Sequence, residues 1–133
     1  MSNTHLRVPV LTVLTLVVAA CATTGEGTRT NYNVITNEEL NAITTATTLY
    51  EVVDQLRPRW LTARAPRNFG GAGDIVVYQD QAYLGSPDIL RQFSREVVYS
   101  LRYLDGATAS ASLPGLGGRH VAGAIILLTA PDR

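Results

Sequence analysis

The sequence predicts an α+β domain in which short helices and strands alternate along the chain. Three observations carry this prediction. Leu49, Val52, Val53 and Leu56 recur at i, i+3, i+4 and i+7, one face of an amphipathic helix. The runs Ile75–Tyr78 and Val97–Leu104 are rich in β-branched and aromatic residues, as strands are. The run Gly123–Thr129, GAIILLT, is continuously apolar at its centre and fits a strand buried on both faces. The expected architecture is a mainly antiparallel sheet of about four strands, with two or three short helices on one face.

Each element follows from local chemistry. Val34-Ile35 is a short strand or a hydrophobic staple before a helix. Thr36 and Glu39 make a capping box, which starts a helix at Asn37 and carries it to about Ile43. The β-branched, interrupted stretch Thr44–Thr48 breaks it. Thr48 and Glu51 form a second capping box for the amphipathic helix, and Pro58 ends that helix near Leu56. Trp60 and Leu61 then fold back on the core. Glycines and Pro66 make a loop of Ala65–Asp74. Gln79-Asp80-Gln81 turns the strand Ile75–Tyr78 into its return, Ala82–Leu84. Ser86-Pro87 places an N-cap before a proline at the first helical position, so a helix covers about Pro87–Phe93. In Val97–Leu104, alternation puts Val97, Tyr99, Leu101 and Tyr103 on one face. Asp105-Gly106 closes that strand with a turn, Ala107–Leu113 makes one or two helical turns, and Pro114–Gly118 is an open glycine-rich loop.

Composition narrows the function classes. The 133 residues carry 11 basic and 11 acidic side chains, and all the basic ones are arginine. A neutral balance argues against a nucleic-acid binder, which needs a basic footprint. Cys21 is the only cysteine, so there is no intramolecular disulfide and no cysteine-based zinc site. No metal or other cofactor is expected.

The N-terminus specifies an address. A polar start containing Arg7 precedes 13 apolar or small residues, Val8 to Ala20, and Cys21 follows directly. The run is shorter than the about 20 residues a membrane span needs. Small residues at its end mark the cleavage point of a secretory signal. Val18-Ala19-Ala20-Cys21 resembles the lipobox of bacterial lipoproteins. That resemblance implies that residues 1–20 are removed and that Cys21 is lipidated. It further implies that residues 21–33 are a flexible tether and that residues 34–133 are the folded domain. Ala22 is not the aspartate that retains lipoproteins at the inner membrane in some bacteria, which implies the periplasmic face of the outer membrane.

The domain carries a second resemblance. The order LYEVVDQLRPRWL, IVVYQDQAYLG, SPDILRQF, EVVYSLRYLDGATAS and GLGGRHVAGAIILLT resembles the plug domain of TonB-dependent outer-membrane receptors, over Leu49 to Thr129. The matching positions are Tyr78 and Asp80 in the hairpin, then Leu104, Gly106 and Ala107, then Gly123, Ile125 and Thr129. The hairpin departs from the family in having Asp80-Gln81 where Asp-Gly is usual. No barrel follows Thr129, so the resemblance implies the fold and the envelope setting but not transport. The expectation is a non-enzymatic, lipid-anchored envelope protein that works by binding or assembly. One alternative is a separate-chain partner or regulator of an outer-membrane transporter. A small periplasmic enzyme is the alternative with least support.

Arg57, Arg59, Arg64 and Arg67 form a basic stretch with no acid between them. It suits contact with anionic lipid or a phosphate-bearing glycan, each cation adding about 1 kcal/mol at such a surface. The neutral balance of the chain favours the other reading, a solvated face whose arginine stems pack along Trp60. His120 has no partner cluster in the sequence and reads as a solvated loop histidine. Gly115, Gly117 and Gly118 precede a strand rather than a helix, so they read as a loop needing φ > 0, not a phosphate cradle. Glu38, Glu39, Glu51 and Asp54 fall in predicted helices, and helix capping accounts for them without acid–base chemistry.

Overall fold

The structure is a computed structural model and describes residues 31–62 and 73–131. It is an α+β fold built on one five-stranded sheet. The strands are β1 (Val34–Ile35), β2 (Asp74–Gln79), β3 (Ala82–Gly85), β4 (Ser100–Asp105) and β5 (Val121–Leu128). Their order across the sheet is β1-β4-β5-β2-β3. Every pairing is antiparallel except β2 with β5. The helices are α1 (Asn37–Ala42), α2 (Leu49–Leu56) and α3 (Gly106–Ser112), with 3-10 turns at Pro58–Trp60, Pro87–Gln92 and Arg95–Val97.

Both capping boxes form. The Thr36 hydroxyl accepts from the Glu39 N–H, and Glu39 Oε2 accepts in return from the Thr36 N–H at 3.1 Å. Thr48 and Glu51 repeat the arrangement. α2 then lays Leu49, Val52 and Val53 on the sheet, each fully buried.

Helices cover both faces of the sheet, where the sequence reading expected one. On the larger face, Ile35, Ile75, Val77, Leu101, Ile125 and Leu127 meet Leu40, the apolar stripe of α2, Trp60 and Leu90. On the other, Val76, Tyr78, Ala124 and Ile126 meet Ala109 of α3 and Leu116. The second layer was hard to anticipate because α3, GATASAS, has no large apolar stripe; its small side chains let it lie close to the sheet. β5 lies at the centre, bonded on both sides, and its alternate residues feed opposite cores. That is why its run is apolar throughout.

Three elements differ from expectation. β4 begins at Ser100 rather than Val97, because Ser94 caps the 3-10 turn Arg95–Val97 and β5 ends opposite Ser100. Val97 and Tyr99 are therefore exposed instead of sharing the core face of Leu101 and Tyr103. Asp105 does not simply close a turn. It is the N-cap of α3, accepting from the Thr108 N–H at 3.0 Å and the Thr108 hydroxyl at 2.7 Å. Gly106 is required there, since a Cβ would run into the Val121 carbonyl. Finally, Pro87–Gln92 is a 3-10 helix whose Ser86 makes no capping bond.

Candidate functional site

The chain enters the domain beside a groove of about 610 Å³, within the range of ligand-binding clefts. Tyr32, Arg57, Arg59, Trp60 and Tyr103 line it, with Leu56 and Ala122 among its apolar walls. α2 and the 3-10 turn after it place these side chains. The Arg57 N–H bonds back to the Val53 carbonyl at 2.7 Å, and Pro58 then forces the chain out of the α-helical path. The tighter turn sends Trp60 inward, 4 % exposed, and leaves Arg59 outside.

Trp60 stacks on Tyr103 of β4, ring centroids 5.6 Å apart, and its Nε1–H donates to the Tyr32 carbonyl at 3.2 Å. The Tyr103 ring lies where a side chain at position 123 would be, so only Gly123 fits beneath it. Burial, with the nearby Asp105 carboxylate, raises the Tyr103 phenol above its ordinary pKa.

The basic stretch separates into parts. Arg57 is 9 % exposed. Its Nη2 donates to Glu39 Oε1 at 2.9 Å and to the Val34 carbonyl at 3.4 Å, and its Nη1 to the Leu56 carbonyl at 3.0 Å. Its Cζ lies 5.7 Å from the Tyr32 ring centroid. Its Nε is buried and has no acceptor among the described residues. Arg57 is thus an internal strut as well as a wall of the groove. Arg59 is exposed and makes no ion pair or hydrogen bond among the described residues. Arg64, Arg67 and the lipidation residue Cys21 lie outside the described residues.

A second, smaller pocket of about 230 Å³ gathers Asp74, Tyr83, Ser86, Arg119 and His120. Linear spacing gave no sign of this grouping, because β2, the turn before Pro87 and the loop before β5 converge only in the sheet. Among the described residues no hydrogen bond joins Ser86, His120 and Asp74, so they form no nucleophile–base relay. His120 is exposed in its loop, and Gly115, Gly117 and Gly118 have φ of 81°, 51° and 81°. No group of three metal-ligating side chains occurs among the described residues. None of their helices is long and apolar enough to cross a membrane.

Of the positions that carry the plug-domain resemblance, Asp80 and Thr129 touch each other. Asp80 Oδ1 accepts from the Thr129 N–H at 3.2 Å and Oδ2 from its hydroxyl at 2.9 Å. Tyr78 is fully buried beside β5, and its hydroxyl donates to the Pro114 carbonyl at 2.7 Å. Gly106 abuts Val121 at the start of β5, and Gly123 lies under Tyr103. No protein-family model matches the chain, and no curated protein and no solved structure is significantly similar to it.

Proposed function

We propose that this chain is a lipid-anchored protein of the cell envelope, held by Cys21 at the periplasmic face of the outer membrane. Its plug-like domain works by binding or assembly rather than by catalysis. The observation that carries the anchor is the apolar run ending in Val18-Ala19-Ala20-Cys21. Two or more acyl chains on one cysteine hold a protein stably, whereas one holds it marginally.

The plug-like reading is supported by the sheet. The hairpin β2–β3 is fastened at its tip to the end of β5 through Asp80 and Thr129, and both residues belong to the resembling motifs. A second reading that keeps the same plug-like fold is a separate-chain partner or regulator of an outer-membrane transporter.

Feeding cells a labelled fatty acid tests the anchor: the wild type takes up label and Cys21→Ser does not. Wild-type protein without label removes the lipoprotein reading. Fractionation tests the placement, and recovery in the inner membrane alone removes it. Crosslinking in intact cells, followed by identification of the captured chain, separates the two roles. An outer-membrane barrel supports the transporter partner, and any other product supports an independent module.

A further inference from the structure

The groove beside Tyr32 has features of a ligand site. Arg57 is nine-tenths buried in its wall, yet its Nε donor has no acceptor among the described residues. Arg59, two residues on, is an exposed cation with no ion pair among the described residues. Tyr32, 76 % exposed, covers the guanidinium from the side where the chain enters. Tyr103 and Leu56 supply apolar surface beside these cations. Aromatic rings with a polar end and an apolar body favour the membrane–water boundary, and arginine pairs well with phosphate oxygens.

Position decides what the ligand is. Only Ala22 to Asn31, ten residues, separate Cys21 from Tyr32. A chain of that length averages about 17 Å end to end when flexible and reaches about 35 Å when extended. If Cys21 is lipidated, as proposed above, the groove sits within that distance of lipid headgroups. We propose that the groove docks the headgroup of an anionic phospholipid. The phosphate lies against Arg59 and Arg57, and the glycerol and first acyl carbons lie against Tyr103 and Leu56. The exposed Tyr32 ring gives way on binding, and Arg57 Nε gains the acceptor it lacks. A tether that already concentrates the domain at the surface makes a weak site effective.

The protein contains its own probe, because Trp60 is the only tryptophan and it is bonded to the Tyr32 backbone. The exported chain from residue 21, carrying Cys21→Ser so that no acyl chain is attached, is titrated with short-chain phosphatidylglycerol below its micellar concentration. Parallel titrations use phosphatidylcholine of the same chain length and glycerol phosphate. The expected result is a saturable change in tryptophan emission with phosphatidylglycerol and a weaker response to the other two. Arg59→Gln, at an exposed position, weakens that binding about five-fold, the worth of one cation at an anionic surface. Tyr32→Ala changes the emission response without unfolding the domain. An equal response to phosphatidylcholine overturns the proposal, as does unchanged affinity in Arg59→Gln. Glycerol phosphate binding as tightly as the lipid makes the ligand a free phosphate and also overturns it. The titration is independent of fatty-acid labelling at Cys21, so failure of the anchor and failure of the groove are told apart.

Discussion

The Glu39 carboxylate divides its two oxygens between two tasks. Oε2 caps α1 through the Thr36 N–H, while Oε1 holds Arg57, eighteen residues on, at 2.9 Å. One side chain therefore starts a helix and ties it to the end of the next. The same arginine reaches the Val34 carbonyl, so β1, α1 and α2 meet at this pair.

Glu39→Gln retains the reach of the side chain but removes its charge. Arg57, 9 % exposed, is then a buried cation without a counter-ion. Losing one partner of a fully buried pair costs about 3–5 kcal/mol. Glu39 is 28 % exposed, so about 2 kcal/mol is expected here. Arg57→Met on the same background recovers much of the loss, since it removes the stranded charge. Urea denaturation of the two variants checks this. A double variant less stable than Glu39→Gln contradicts the account.

Ile126→Asp tests the central strand. Ile126 is 7 % exposed, on the face covered by α3. An unpaired buried carboxylate costs several kcal/mol, against about 5–15 kcal/mol for a whole domain. The variant is expected to be largely unfolded at room temperature. Circular dichroism showing a cooperative melt within a few degrees of wild type places this residue outside the core.

These two cases show what was legible in the sequence. The caps of α1 and α2 were, because each is settled by atoms within four residues. β5 was, because four consecutive apolar residues have no other solution in a sheet. The Glu39–Arg57 pair was not. Arg57 reads as one member of a basic stretch, and only the ending of α2 and the turn at Pro58 separate it from Arg59. Asp105 reads as a turn residue because Gly106 follows it; its capping role depends on Thr108 and on the space that Val121 leaves. The parallel pairing of β2 with β5, and the pocket shared by Asp74, Ser86 and His120, arise from contacts distant along the chain.

Asp80 tests the clasp between hairpin and last strand. Its φ is 52°, a left-handed conformation that costs most side chains about 1 kcal/mol. Asp80→Ala loses both bonds to Thr129 and keeps the strain, for a loss of about 1–2 kcal/mol. Asp80→Gly loses the bonds but relieves the strain, and Asp80→Asn keeps an acceptor in a residue that tolerates this conformation. The expected order of stability is Asp, Asn, Gly, Ala. Measured midpoints with Ala at or above Gly exclude this explanation.

Stability against pH follows from four groups. Glu51 accepts from the Thr47 N–H at 2.7 Å and the Thr48 N–H at 3.2 Å, bonds that hold its carboxyl below the usual carboxylate range. Asp105 is lowered by the Thr108 N–H and then by the Thr108 hydroxyl. A folded value below the unfolded one means that the unfolded chain binds more protons as the solution is acidified. The contribution is complete above the unfolded values, near about pH 4, and is lost as pH falls through the folded ones. At the other end, burial raises Tyr78 and Tyr103. Their contribution is complete below the ordinary phenol value, about 10, and is lost as pH rises beyond it. The melting temperature is therefore expected to be level from about pH 5 to 9 and to fall on both sides. Asp105→Asn keeps a good N-cap, so it shallows the acid limb with little change at neutral pH. Tyr78→Phe lowers the plateau by losing the bond to Pro114 but shallows the alkaline limb. A melting temperature that rises between about pH 5 and 3 reverses the sign derived for Glu51 and Asp105 and rejects their role.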